Sequence, residues 1–140
     1  MQYFSIRRLV KPLLVLCGVL LLSACAAKAA KESSIEDRVN ARWAALFSKD
    51  IEAAYGYLSP GYRSSVSLQQ YQRSIMTGHV RWTSAKYISS KCEETRCDVK
   101  ILVGFTVTNA VPGVKSFKGT DYIDESWVLV KGNWFMVPQS

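Results

Sequence analysis

The sequence predicts an α+β domain in which N-terminal helices pack on a curved antiparallel sheet of about four strands. Two observations predict it. Apolar residues between Ile35 and Met76 recur at three- and four-residue steps, whereas beyond Gly78 the period falls to two and β-branched and aromatic residues take over. Helices first and strands afterwards give segregated layers rather than alternating βα units.

The chain opens on a leader. Arg7, Arg8 and Lys11 precede the apolar run Leu13 to Leu22, and Leu22, Ser23, Ala24 and Cys25 close it in the pattern that a lipoprotein signal peptidase cuts. Residues 1–24 are therefore expected to be removed, with the Cys25 thiolate taking a diacylglycerol and the freed amine a further acyl chain such as palmitate. Two or three chains anchor far more firmly than one. An uncleaved transmembrane helix needs about 20 apolar residues, and this run is bounded by Lys11 and Lys28. The stretch SIRRLVK matches a twin-arginine leader only in part, which favours ordinary secretion. Residues 25–33 read as the lipidated cysteine and a short Ala/Lys tether, and residues 34–140 as a single domain. Ala26, where an aspartate would retain the protein at the inner membrane, directs it to the periplasmic side of the outer membrane in a Gram-negative envelope.

Removing 24 of the 140 residues leaves 116, enough for one core. The formal charge of +7 overstates the basicity of the mature chain. Three of the 18 basic residues leave with the leader, so 15 stand against 11 acids, a net +4. The remaining lysines and arginines are scattered, which argues against nucleic acid as a partner.

Ser33 with Glu36 forms a capping box that starts the first helix. Ile35, Val39, Trp43, Leu46 and Phe47 make its apolar stripe, with Arg38, Asn40 and Arg42 off that stripe. A second helix is expected from Asp50 to Tyr57, stopped by Ser59, Pro60 and Gly61. Ser67 caps a third, running from Leu68 to about Met76 with Leu68, Tyr71 and Ile75 on one side. Strands are expected at 80–91, 97–109, 117–130 and 134–138. In the second, Cys97, Val99, Ile101, Val103, Phe105 and Val107 alternate with more polar positions. Lys131, Gly132 and Asn133 form a tight turn, and Val111, Pro112, Gly113 and Val114 a looser one.

Cys17 leaves with the leader and Cys25 takes lipid, so Cys92 and Cys97 remain as a pair in an oxidising compartment. The four residues between them suit a hairpin loop, and a bridge there is a structural clip. A redox pair would want two intervening residues and a helix N-terminus. Two sulfurs and the distant His79 do not complete a tetrahedral metal site. The sequence implies no metal and no cofactor.

The order of elements, the stretch WAALFSKDIEAAYGYLSPGYR and the ending ESWVLVKGNWFMVP resemble the nuclear transport factor 2-like superfamily, including its SnoaL-like members, over nearly all of residues 34–138. The resemblance implies a cystatin-like cone of bent sheet closed by helices. That superfamily includes ketosteroid isomerases, dehydratases and epoxide hydrolases as well as binding domains without chemistry, so fold alone does not choose among them.

Asp121, Ile123, Glu125, Trp127 and Leu129 share one strand face. A Glu125 carboxylate beside Trp127 inside an apolar cone would have a raised pKa and could exchange protons with a substrate; at the rim it would instead pair with a lysine or arginine. Tyr55, Tyr57 and Tyr62 surround the Ser59–Gly61 break, either lining the open end of the cone or packing helices on the sheet. His79, beside Gly78, reads as a solvent-facing turn residue. Three functions stay open. The leading one is a lipid-anchored, non-enzymatic binding or accessory domain that holds an envelope protein, a glycan or a small apolar ligand. The second is an isomerase or dehydratase with Glu125 or Asp121 as base and a tyrosine as hydrogen-bond donor. The third is a purely structural envelope protein whose cone is filled by aromatic side chains.

Overall fold

A computed structural model describes residues 34–111 and 113–139, with backbone alone for residues 109–111 and 114. The leader, Cys25 and the tether lie outside the described residues. Helix α1 (Ile35–Phe47) is capped by Ser34, whose hydroxyl accepts from the Asp37 N–H while the Asp37 carboxylate accepts from the Ser34 N–H. The capping box therefore falls one residue later than the expected Ser33–Glu36 frame. In this frame Ile35 is the first helical residue and the apolar stripe begins with the first turn.

Helix α2 (Ile51–Gly56) is capped by Asp50. The expected stop at Ser59, Pro60 and Gly61 is also a start. Ser59 caps a short helix α3 (Pro60–Ser65) with Pro60 in its first turn, where the missing N–H costs nothing. Helix α4 (Leu68–Thr77) opens on a Ser67/Gln70 capping box and ends at Gly78. None of the helices among the described residues is long and apolar enough to cross a membrane.

The strands are β1 (Val80–Cys92), β2 (Arg96–Val111), β3 (Val114–Val130) and β4 (Asn133–Val137), in the antiparallel order β1-β2-β3-β4. Cys92 pairs with Cys97 across the β1–β2 ladder, and the two are joined by a disulfide. Register shifts between Trp82 and Ser84 and between Tyr87 and Ser89 bend β1. Lys131 and Gly132, with φ of 50° and 77°, form the two-residue β3–β4 turn; such left-handed pairs match the twist of the flanking strands.

One core lies between α1 and the sheet, built from Val39, Trp43, Cys97, Val99, Ile101, Val103 and Trp127. A second, of Ala54, Leu58 and Tyr71, holds the shorter helices together. The two meet at Met136. The Ser59 N–H donates to the Met136 carbonyl and the Met136 N–H to the Tyr57 carbonyl, each at 2.8 Å. The α2–α3 connector thus lies parallel to β4 and covers its free edge.

The expected α+β cone is not what forms. The architecture is a mostly β, four-stranded antiparallel sheet with short helices on its N-terminal side. Length explains the difference. The longest helix among the described residues has 13 residues and spans about 20 Å, whereas the 17 residues of β3 run about 55 Å. The helices therefore cover one end of the β2–β3 hairpin and leave the other bare.

Candidate functional site

At the covered end an ion pair is buried between helix and sheet. Arg42, on the inner face of α1, donates from Nη1 to Glu125 Oε1 at 2.9 Å, and Trp127 Nε1 donates to Glu125 Oε2 at 3.0 Å. Arg42 is 5% exposed and Glu125 6%. Burial raises the Glu125 pKa above the usual carboxylate value; the Arg42 charge and then the Trp127 hydrogen bond oppose the rise without cancelling it. Burial likewise pushes the Tyr71 hydroxyl up, with Arg42 pulling it down. The Trp43 indole N–H and the Tyr71 hydroxyl influence the pair from nearby, yet neither makes a hydrogen bond of good geometry.

A cleft of about 230 Å³ opens beside this pair, lined by Arg42, Trp43, Leu46, Trp82, Ile123 and Glu125 among others. It is below the roughly 300–1,000 Å³ of ordinary ligand pockets. A larger hollow, about 400 Å³, lies on the other side of the sheet by Arg96, Ser126 and Val128, away from the buried acid. Both Glu125 oxygens are engaged, so the carboxylate is held as an anchor for Arg42 rather than offered to a ligand.

The other residues singled out from the sequence do not converge on Glu125. Asp121 is exposed and its Oδ1 accepts from the Tyr122 N–H. The Tyr55 hydroxyl is 2.7 Å from the Val66 carbonyl and 3.2 Å from that of Arg63, fastening α2 to the end of α3. The Tyr57 ring carries the Arg38 guanidinium 4.4 Å from its centroid, and Arg38 Nε donates to the Trp134 carbonyl. Tyr62 packs half-buried against the Ala54 and Leu58 cluster. Trp127 is fully buried, and His79 is exposed. Cys25 lies outside the described residues.

Two members of the buried cluster, Arg42 and Tyr71, were not among the predicted site residues. Arg42 carries a legible signal. Ile35, Val39, Arg42 and Leu46 follow the four-three-four step of a core stripe, so the arginine sits on the inner face, where an unpaired charge is costly.

A row of aromatic rings leads from this cluster to the bare end of the sheet. Trp43 meets Trp82 at 5.9 Å, Trp82 meets Phe105 at 6.3 Å, and Phe105 meets Phe117 at 6.2 Å, each pair nearly edge to face. Gly119 faces Phe105 across the ladder because the ring occupies its side-chain space; a Cβ there would lie 2.8 Å from Phe105 Cζ. The row begins buried at Trp43 and ends in solvent, with Trp82 37% and Phe117 45% exposed. Val80, Ile75 and Met76 are exposed beside the α4–β1 junction. Among residues 79–83, 104–108 and 113–120 the charged side chains are Arg81, Lys115 and Lys118, with no acid.

No family model matches the chain, and no curated protein matches it. Among solved structures it is similar to a SEC-C motif containing protein from Rhodopseudomonas palustris, with 14% identity and a TM-score of 0.60 over 80% of this chain and 81% of that one. A SEC-C motif containing protein from Psychrobacter arcticus is also similar, with 11% identity and a TM-score of 0.58 over 78% of this chain and 61% of that one. At these identities the likeness is one of fold. It overturns the resemblance to the nuclear transport factor 2-like superfamily: the structural neighbours are SEC-C motif containing proteins, and no match supplies a lipoprotein family for the chain.

Proposed function

We propose that the protein is a lipid-anchored, non-enzymatic binding domain of the cell envelope whose working surface is the bare aromatic end of its sheet. The observation that carries this reading is the row Trp43, Trp82, Phe105 and Phe117, which continues the core face of the sheet beyond the helices. Contiguous exposed apolar side chains rimmed by polar residues are a mark of interaction surfaces. Cys25 and the leader before it supply the anchor and the route to the envelope. The Cys92–Cys97 disulfide suits an oxidising compartment. Glu125, with both oxygens engaged, and the small cleft beside it favour binding over proton-transfer chemistry. In a Gram-negative cell the place is the outer membrane, facing the periplasm.

Mass spectrometry of the mature protein is expected to find lipid on Cys25, and the Cys25→Ala chain to lose it. An unmodified Cys25 in the natural chain overturns the anchor. An environment-sensitive apolar dye is expected to light up on the natural protein and to bind at least about twofold less to Trp82→Ser and Phe117→Ser, since each removes a large part of the exposed patch. Unchanged dye binding overturns the surface.

A further inference from the structure

We propose, building on the lipid-anchored reading above, that the bare end of the sheet docks on an anionic phospholipid bilayer. Two observations select this occupant. Phe117, Trp82, Val80, Ile75 and Met76 bring aromatic and aliphatic side chains to one end of the domain, and aromatic rings favour the headgroup level of a bilayer. The charged residues within 79–83, 104–108 and 113–120 are Arg81, Lys115 and Lys118, with Asp121 the first acid beyond them, and the attraction of lysine and arginine to anionic headgroups adds to apolar insertion.

The placement of the basic residues argues for a bilayer rather than a protein partner. Lys115 shares the inner face with Phe117, whereas Arg81 and Lys118 alternate onto the outer face. A partner seated on the aromatic face alone would leave two of the three cations unused. A hairpin end entering the headgroup layer uses all three. The anchor permits it. Nine residues, 25–33, reach about 30 Å when extended, more than the length of α1 that separates Ser34 from the contact of Trp43 with Trp82.

The test uses the full natural chain on vesicles containing brominated phosphatidylcholine and phosphatidylglycerol, with tryptophan quenching as the readout and the mass of the Cys25 peptide measured in the same sample. Quenching is expected to fall by at least about twofold in Trp82→Phe and in the Lys115→Glu/Lys118→Glu variant, and on vesicles lacking phosphatidylglycerol. Near-ultraviolet circular dichroism checks that each variant is folded. Quenching that persists in Trp82→Phe overturns the proposal, because the tryptophan entering lipid is then another one. Quenching insensitive to phosphatidylglycerol and to charge reversal overturns the anionic selection. A lipid-bearing Cys25 with no quenching overturns docking, points to a protein occupant and leaves the anchor standing. Quenching and sedimentation with vesicles by a chain whose Cys25 is unmodified support docking and remove the anchor.

Discussion

At Cys97 and Trp127 the β2–β3 ladder is sealed beneath α1, whereas at Val107 and Phe117, ten residues further along, the same ladder carries apolar side chains toward solvent. The alternation does not change between the two ends. What changes is the cover. An inward face is only an offer of burial, and helices of 13, 6, 6 and 10 residues accept that offer over part of the hairpin. The covered end then tolerates a charge only because Arg42 and Glu125 arrive together, while the bare end keeps its cations on the surface.

The strongest way to break this contrast is to remove one half of the buried pair. Arg42→Ala leaves an uncompensated acid in the core and is expected to cost about 3–5 kcal/mol in urea unfolding, against much less for the Arg42→Met/Glu125→Leu double variant. A loss under about 1 kcal/mol would mean that the covered end is not as dry as its exposure indicates. The penalty should depend on pH. Because burial raises the Glu125 pKa, the folded state holds a proton where the unfolded chain, with its ordinary value near 4.5, has released it. Stability therefore falls as pH rises through that window. Arg42→Ala widens the window, so the gap between variant and natural protein should grow as pH increases; a gap that is flat or shrinks contradicts a buried, desolvated carboxylate.

Smaller effects sharpen the comparison. Opening the Cys92–Cys97 clip with a double serine substitution removes a short loop closure and should lower stability by about 2 kcal/mol. Thermal melting with and without reductant gives an independent reading of the same quantity. Halfway along the hairpin, Gly119→Ala forces Phe105 from its seat and should cost about 1–3 kcal/mol, measured alongside the loss of its edge-to-face contacts in near-ultraviolet dichroism. Phe117→Ser, at the bare end, is expected to change stability by no more than about 0.5 kcal/mol. A larger loss would place that ring in a core and erase the distinction between the two ends.

Most of the local structure was legible. The change of period at Gly78, the alternation from Cys97 to Val107 and the Lys131–Gly132 turn locate the strands within a few residues, because strand periodicity and turn chemistry are properties of neighbouring residues. The cysteine pair was legible by elimination. Helix α3 was hidden because Pro60 and Gly61 read equally as an ending and a beginning. Arg42 was hidden because its charge outweighed its position in the stripe, and only a partner 83 residues away reconciles the two. Whether helices close over a sheet depends on relative lengths and packing across the chain, and no short window contains that information. The cone was inferred from order of elements, and order does not set coverage.

The join between the α2–α3 connector and β4 also bears on how the chain comes to be folded. Leu58 waits for Met136, and Arg42 waits for Glu125, so each half of the helical layer finds its partner only in the last quarter of the sequence. Contacts so distant along the chain slow folding, since long loops must close before anything is gained. A chain that emerges from its N-terminus cannot complete this domain until residue 136 has followed.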